Sequence, residues 1–236
     1  MHEAMAQNAS GIVFLFDVDN TLLDNDAIQD DLGDYLETHF GRACRERYWV
    51  IFEALREELG YADYLGALQR YRLENLDEPQ LLSVSSFLID YPFARRVYPQ
   101  ALAALARCAR IGTDVILSDG DVVFQPRKVQ RAGLWDAVGG HVLIYLHKEQ
   151  MLDSVARRYP ARHYVVIDDK LRILAAVKLA WGERVTTIFP RQGHYAHDAR
   201  ELARYPSADL TLARVGELAH CDLSILPGID PALRLG

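Results

Sequence analysis

The feature that most constrains this chain is an apolar run, Ile12 to Phe16, which stops abruptly at Asp17 and is followed by Asp19 and Thr21. Five consecutive apolar residues rich in β-branched and aromatic types predict a strand buried on both faces. Two carboxylates so close together repel each other unless a cation intervenes. At the end of a strand in an open α/β sheet, where ligands bind, they indicate a functional site. The alternative is a solvated turn in which Asp and Thr only cap a helix.

The composition is that of an ordinary globular protein. The chain has 236 residues and a net charge of −7, so we expect one large or two small domains and no binding to nucleic-acid polymers or anionic membranes. No apolar stretch is long enough to span a bilayer, and no secretory signal is recognisable. Cys44, Cys108 and Cys221 are far apart and odd in number, which predicts reduced thiols and a cytoplasmic protein. These features leave the oligomeric state open.

Residues 24–92 carry helical periodicity and hardly any strand signal. Apolar residues recur at helical spacing from Ile28 to Leu88, and Gly41 and Gly60 mark two helix ends. The sequence therefore predicts an all-helical unit here, with the segment from Pro92 to Pro99 as a hinge.

Beyond this unit, apolar runs alternate with amphipathic helices. Pro99 is predicted to open a helix that continues through Ala109. The predicted later strands are 115–117, 142–146, 164–167, 185–189 and, weakly, 210–212. Strands separated by helices predict a doubly wound parallel sheet with right-handed crossovers, to which the first strand also belongs. We therefore assign residues 1–23 and 93–236 to an α/β core, with 1–10 as a flexible tail, and 24–92 to an inserted helical domain.

Each of the first four strands is followed by residues with chemical potential. The four groups are Asp17, Asp19 and Thr21; Ser118, Asp119 and Gly120; His147 and Lys148; and Asp168 and Asp169. One acidic corner could be a helix cap, but capping hardly explains acids, a hydroxyl and a lysine on successive strand ends. Because parallel strands place their carboxyl ends at one edge, these groups should meet.

The ordered pattern hhhhDxDxT, hhhS, Lys and hhhDD resembles the haloacid dehalogenase-like (HAD) hydrolase superfamily. The resemblance covers the chain from Gly11 onward, and the helical insertion looks like the family's C1-type cap. It implies a Rossmann-like core and Mg²⁺-dependent hydrolysis of a small phosphorylated metabolite through an aspartyl-phosphate. It assigns the nucleophile to Asp17, general acid and base duty to Asp19, and charge neutralisation to Lys148.

The resemblance also implies the phosphate and metal contacts. Ser118 should bind a phosphate oxygen, assisted by backbone N–H groups near Asp119 and Gly120. Thr21 is either a cap or a phosphate contact, and Asp119 stands where many relatives carry Asn. The implied Mg²⁺ ligands are the Asp17 carboxylate, the main-chain carbonyl of Asp19 and an acid of the last motif. Asp169 is the expected ligand with Asp168 behind it, although the opposite assignment is open.

The chain has only four lysines. We expect Lys128 and Lys178 to be solvated, and Lys170, next to the acid pair, is the rival to Lys148.

Alternative functions share parts of the pattern. A 2-haloacid dehalogenase needs no proton for a leaving oxygen and no metal, so Asp19 argues against it. A phosphomutase would use the same residues. A receiver-like module would lack the helical insertion and would carry its phosphorylated Asp on a later strand, and the filled catalytic positions argue against a non-catalytic phosphate-binding protein on the same fold.

Overall fold

The computed structural model describes residues 11–223, so the expected tail over residues 1–10 lies outside the described residues. Its centre is a six-stranded sheet. Strands β1 to β6 are Ile12–Phe16, Thr113–Asp119, Val142–Tyr145, His163–Ile167, Val185–Pro190 and Leu210–Leu212. The strand order is β3-β2-β1-β4-β5-β6, and every neighbouring pair is parallel. The predicted doubly wound parallel sheet is therefore confirmed.

Ten α-helices accompany the strands within residues 11–223. Helices α1 to α10 are Asn25–Phe40, Arg42–Leu59, Tyr64–Glu74, Leu82–Asp90, Ala101–Cys108, Phe124–Arg131, Leu134–Ala137, Leu152–Arg158, Leu171–Trp181 and Ala199–Arg204. Short 3₁₀ helices are Pro79–Leu81, Phe93–Arg96, Lys148–Gln150, Gly182–Arg184, Tyr195–His197 and Val215–Ala219. We call α1 to α4, residues 25–90, the helical block. It follows β1 directly and precedes all the other strands.

The sheet is buried on both faces, as the apolar character of its strands predicts. Side chains of β1 alternate, so that Phe14 and Phe16 pack on one face while Val13 and Leu15 pack on the other. The first face carries α5, α6 and α7, and its core continues into the helical block. The second face carries α8 and α9. The helical block and the sheet therefore share one continuous hydrophobic core.

Two short connections join the helical block to the sheet, and they run side by side. Leu23 forms an antiparallel bridge with Val97. The backbone N–H of Asp24 donates to the Arg96 carbonyl at 2.7 Å, and that of Tyr98 donates to the Leu22 carbonyl at 2.9 Å. The predicted hinge segment thus forms a small ribbon with the chain that leaves β1.

The prediction that Pro99 opens a helix was wrong by two residues. Helix α5 begins at Ala101, because Gln100 adopts a left-handed conformation with φ 62° that a helix cannot include. The N–H of Ala101 donates to the Tyr98 carbonyl at 3.1 Å, so Pro99 lies inside a turn before the helix.

The cysteines and the apolar character of the helices bear on two further predictions. Cys44, Cys108 and Cys221 are all unpaired thiols. Among residues 11–223, no helix combines the length and apolar character required to cross a bilayer.

Candidate active site

The site forms where the strand order reverses, between β1 and its neighbour β4. The N–H of Asp17 donates to the Ile167 carbonyl at 2.9 Å, which aligns the ends of the two strands. Carboxylate oxygens of Asp17, Asp168 and Asp169 lie within 4.8 Å of one another, and all three residues are buried. Three buried carboxylates in one corner repel each other strongly, so the arrangement requires positive charge.

Lys148 supplies part of that charge from the loop after β3. Its Nζ lies 2.5 Å from Asp17 Oδ1 and 2.7 Å from Asp168 Oδ2, and it donates to the Leu117 carbonyl at 3.3 Å. Burial alone would lower the pKa of Lys148, but the carboxylates of Asp168 and Asp17 outweigh it and raise the pKa well above its usual value. Lys148 is therefore a fixed ammonium ion beside Asp17.

One lysine does not satisfy the corner. Asp17 Oδ2 and both carboxylate oxygens of Asp169 are buried without a hydrogen-bond donor anywhere in residues 11–223. Burial raises the pKa of Asp169 well above its usual value, despite the neighbouring Lys170. Carboxylate oxygens that accept no hydrogen bond can coordinate a cation, and Mg²⁺ prefers oxygen ligands. The residues present therefore fit a hard divalent cation. Asp168 instead lies against Lys148, which leaves Asp169 as the freer of the two acids.

The remaining predicted residues surround this corner. Thr21 is fully buried, and its Oγ1 accepts from the Asp169 N–H at 3.0 Å, so it joins the ends of β1 and β4. Ser118 Oγ accepts from Gln125 Nε2 at 2.9 Å. Asp119 Oδ1 accepts from the Lys148 N–H at 2.7 Å and thereby positions the lysine loop. Burial raises the pKa of Asp119 to about 6, although Lys148 counteracts it.

Gly120 is used by the sheet and by its close packing. Its N–H donates to the Tyr145 carbonyl at 2.9 Å, so this N–H already has a partner. A Cβ at this position would lie 2.6 Å from Gln125 Cβ. The glycine therefore lets helix α6 approach the end of β2.

The expectation that Lys128 is solvated was wrong. Its side chain is 0 % exposed, and Nζ lies 2.8 Å and 3.0 Å from the two carboxylate oxygens of Asp19. The physical reason is the face of α6, on which Phe124, Gln125, Lys128 and Val129 are all buried. Positions i, i+1, i+4 and i+5 share one side of a helix, so the apolar pattern around Lys128 was the signal that could have placed it inside. Lys178 is partly exposed and pairs with Asp209.

A cavity of about 520 Å³ opens in front of the acidic corner, between the helical block and the sheet. Asp19, Asp119, Asp169 and Lys170 belong to its lining. Lys170 Nζ has no hydrogen bond or ion pair within the described part of the chain, and it lies 5.3 Å from the ring centroid of Tyr195.

The Arg56 guanidinium of α2 lies 5.7 Å from the centroid of the same ring and donates to the Tyr195 hydroxyl. Sequence reasoning identified neither Tyr195 nor Arg56 as a site residue. No local pattern links them, because they meet only through the tertiary fold.

The loop after β5 was also missed. Gln192 donates through Nε2 to the Thr21 carbonyl at 3.0 Å and accepts from the Val215 N–H. His194 Nδ1 lies 2.7 Å from Asp26 Oδ1, and the backbone N–H of His194 donates to Asp26 Oδ2. This loop therefore contacts both the site and the first turn of α1.

Comparison with solved structures identifies the family. A crystal structure from Burkholderia xenovorans LB400, described as a haloacid dehalogenase-like hydrolase, is 65% identical, has a TM-score of 0.87, and is matched over 90% of this chain and 99% of that one. L-2-haloacid dehalogenase from Xanthobacter autotrophicus is 20% identical, with a TM-score of 0.58 and coverage of 88% and 96%. The HAD-hydrolase YfnB of Bacillus subtilis, solved with magnesium, is 16% identical, with a TM-score of 0.58 and the same coverage.

The latter two similarities show the fold alone, whereas the first shows kinship. No family model matches the chain, and no curated protein does. The fold and the acidic corner are those of an α/β hydrolytic enzyme of the Rossmann-like type. The chain belongs to the haloacid dehalogenase-like hydrolases.

Proposed function

We propose that this protein is a Mg²⁺-dependent phosphatase that hydrolyses small phosphomonoesters through an aspartyl-phosphate on Asp17. The observation that carries the proposal is the cluster of Asp17, Asp168 and Asp169, in which Asp17 Oδ2 and both Asp169 oxygens lack a hydrogen-bond donor among the described residues, while Lys148 lies beside Asp17 and Asp168. A corner with an excess of buried negative charge suits a reaction in which a cation and an anionic phosphoryl group must both bind.

The reaction is a double displacement at phosphorus. An Asp17 carboxylate oxygen attacks the phosphoryl group, the bond to the leaving oxygen breaks, and a proton from the Asp19 carboxyl neutralises that oxygen. Asp19, now a carboxylate, takes a proton from water as the water oxygen attacks phosphorus. The bond to Asp17 then breaks, which frees inorganic phosphate and restores both side chains.

The metal would be held by the Asp17 and Asp169 carboxylates and the Asp19 main-chain carbonyl, with Asp168 fixing Lys148. Bound Mg²⁺ supplies positive charge that offsets the repulsion between the nucleophile and the phosphoryl oxygens. Lys148 adds its own charge to the same group, and Ser118 binds a phosphoryl oxygen. Thr21 holds Asp169 in position through its backbone N–H.

We assign residues 24–92 to a cap domain and residues 1–23 and 93–236 to the catalytic core. The cavity between them is large enough for a small metabolite, and closure of the cap would exclude bulk water. Lys170 and Arg56, which line the cavity beside Tyr195, favour an anionic substrate. A small phosphorylated metabolite carries the negative charge that these two residues favour. The expectation of no binding to nucleic-acid polymers or membranes rests separately on the net charge of −7.

The decisive experiment is turnover of p-nitrophenyl phosphate with Mg²⁺ by the wild type and by Asp17→Asn, followed by a panel of phosphorylated metabolites. We expect phosphate release by the wild type only. Rapid acid quench and intact mass spectrometry should also detect a phosphoryl adduct on the wild type and none on Asp17→Asn. Equal rates for the two proteins would overturn the assignment of the nucleophile.

The same samples distinguish the alternatives. A 2-haloacid dehalogenase would release halide from a short 2-haloacid in the presence of a chelator, whereas a phosphomutase would return an isomeric phosphate ester instead of inorganic phosphate. A protein that binds phosphate without any turnover would indicate a non-catalytic module.

A further inference from the structure

We infer that Lys128 is a positioning residue that holds the Asp19 carboxylate in place for proton transfer and links it to the helical block. The inference rests on the proposed function, because it assigns a task to Asp19. Lys128 is a buried ammonium ion to which the family resemblance assigns no role.

Lys128 has a complete set of acceptors. Its ammonium group has three N–H donors, and Nζ lies 2.8 Å and 3.0 Å from the two Asp19 oxygens and 3.1 Å from Asn25 Oδ1. The ring centroids of Phe124 and Tyr64 lie 5.2 Å and 5.6 Å from the same nitrogen. An ammonium ion between three oxygens and two aromatic rings has little freedom to move.

Asp19 contacts Lys128 through its carboxylate, and its side chain remains partly exposed to the cavity. Lys128 contacts both of its oxygens, and Gln125 Nε2 lies 3.4 Å from Oδ2. The Asp19 side chain nevertheless retains 22% exposure and lines the cavity in front of Asp17. A general acid and base must lie within hydrogen-bond reach of the leaving oxygen and then of the attacking water. The contacts from Lys128 and Gln125 restrict the position of the carboxylate and so help to meet that requirement.

The same ammonium ion reaches into the helical block. Asn25 is the first residue of α1, and its Nδ2 donates to the Tyr64 hydroxyl of α3 at 3.0 Å. Gln29 donates to that hydroxyl at 2.9 Å, and the Tyr48 hydroxyl donates to the Tyr64 carbonyl at 2.9 Å. Lys128 on α6 of the core thus joins Asp19 to a hydrogen-bonded network within the block. The position of Asp19 depends on both parts of the chain being in contact.

A double-mutant cycle tests whether Lys128 acts through Asp19. The proteins are the wild type, Lys128→Met, Asp19→Asn and the double variant, assayed with Mg²⁺ on one phosphomonoester. We expect Lys128→Met to lower kcat about 10- to 100-fold, as removal of a supporting residue does, with a much smaller change in KM. In the Asp19→Asn background the same substitution should change kcat by less than about threefold, because its partner is already absent.

An equal loss of kcat in both backgrounds would overturn the inference, because it would mean that Lys128 only maintains the fold. Unchanged kcat in Lys128→Met would overturn it as well. Lys178→Met is the matched control, because it removes a helical lysine that pairs with Asp209 away from the site. Should Lys128→Met not fold, Lys128→Gln retains a hydrogen-bond donor and enters the same cycle.

A crystal structure of the folded Lys128 variant with Mg²⁺ provides a readout that needs no turnover. We expect the Asp19 carboxylate to be displaced or to occupy several positions, whereas an unmoved carboxylate would contradict the inference. Failure of the proposed function gives a different result: the wild type itself would release no phosphate, while the displacement of Asp19 could still be observed.

Discussion

The Nζ of Lys148 lies 2.5 Å from Oδ1 of Asp17, and both side chains are 4% exposed. This contact joins the loop after β3 to the end of β1, and Asp168 lies on the other side of the same nitrogen at 2.7 Å. A lysine in this position permits three carboxylates to be buried together and, in the proposed reaction, offers charge to the phosphoryl group transferred to Asp17. The two tasks give distinct experimental consequences.

We predict that Lys148→Met lowers kcat for phosphate release by about 10²- to 10³-fold, the usual cost of removing one preorganised charge from a reacting centre. The reason is that the charge that offsets repulsion between Asp17 and the phosphoryl oxygens is lost. Steady-state kinetics at saturating Mg²⁺ measures the effect, circular dichroism verifies the fold, and Lys178→Met is the control. An unchanged kcat in a folded variant would exclude Lys148 from the reaction.

We predict that Mg²⁺ raises the Tm of the wild type and that Asp169→Asn reduces this response. Cation binding relieves the repulsion between buried carboxylates, and a ligand that binds only the folded state stabilises it. Without metal, Asp169→Asn should melt at a higher temperature than the wild type, since one of the repelling charges is gone. Differential scanning calorimetry with EDTA and with Mg²⁺ measures both effects.

The two Tm effects of Asp169→Asn have opposite signs, so general destabilisation cannot imitate them. Asp168→Asn, which removes a partner of Lys148, is the comparison that distinguishes the two acids. A full Mg²⁺ response in Asp169→Asn together with a lost response in Asp168→Asn would reverse the assigned roles.

The sequence predicted the sheet and the acidic corner because their signals are local. Buried parallel strands appear as continuous apolar runs, and topology then brings their carboxyl ends to one edge. Asp17, Lys148, Asp168 and Asp169 could therefore be expected together before their distances were known. The different partners of Asp168 and Asp169 could not be predicted, since the contact of Asp168 with Lys148 depends on the path of one loop.

The parts that escaped prediction depend on contacts between distant segments. Tyr195 is 139 residues from Arg56, and nothing in either neighbourhood indicates their meeting. Lys128 is a different case, because the burial of its helix face was recognisable from Phe124 and Val129. The charge of a lysine favours solvent, but the side of the helix on which Lys128 lies is apolar.

We predict that Arg56→Met raises KM for the physiological substrate about tenfold or more while kcat changes little. The loss of a charged hydrogen bond to an anionic ligand is worth about 1.5–3 kcal/mol. Arg56 is a residue of the helical block that lines the cavity and has no contact with Asp17 or Lys148 among the described residues, so it should contribute to binding and not to chemistry. Arg42→Met, on the exposed surface of α2, is the control. An unchanged KM for every substrate in the metabolite panel would exclude Arg56 from substrate recognition.

The last prediction concerns Asp114, the second residue of β2, at the opposite end of that strand from Ser118. Neither of its carboxylate oxygens has a hydrogen-bond partner among the described residues, and burial raises the pKa of Asp114 to about 8. Between the ordinary value of 3.8 and about 8, the unfolded chain releases this proton while the folded chain retains it. The free energy of unfolding therefore falls as pH rises through that window, by up to about 1.4 kcal/mol per pH unit from this group.

Asp114→Asn removes this titration, so the stability of the variant relative to the wild type should increase as pH is raised from roughly 5 to roughly 8. An amide without partners carries its own cost, but that cost is independent of pH and does not affect the slope. Urea unfolding at several pH values measures the difference, and Asp77→Asn, in an exposed turn, controls for the loss of one negative charge. A constant difference between Asp114→Asn and the wild type would mean that folding does not raise the pKa of Asp114.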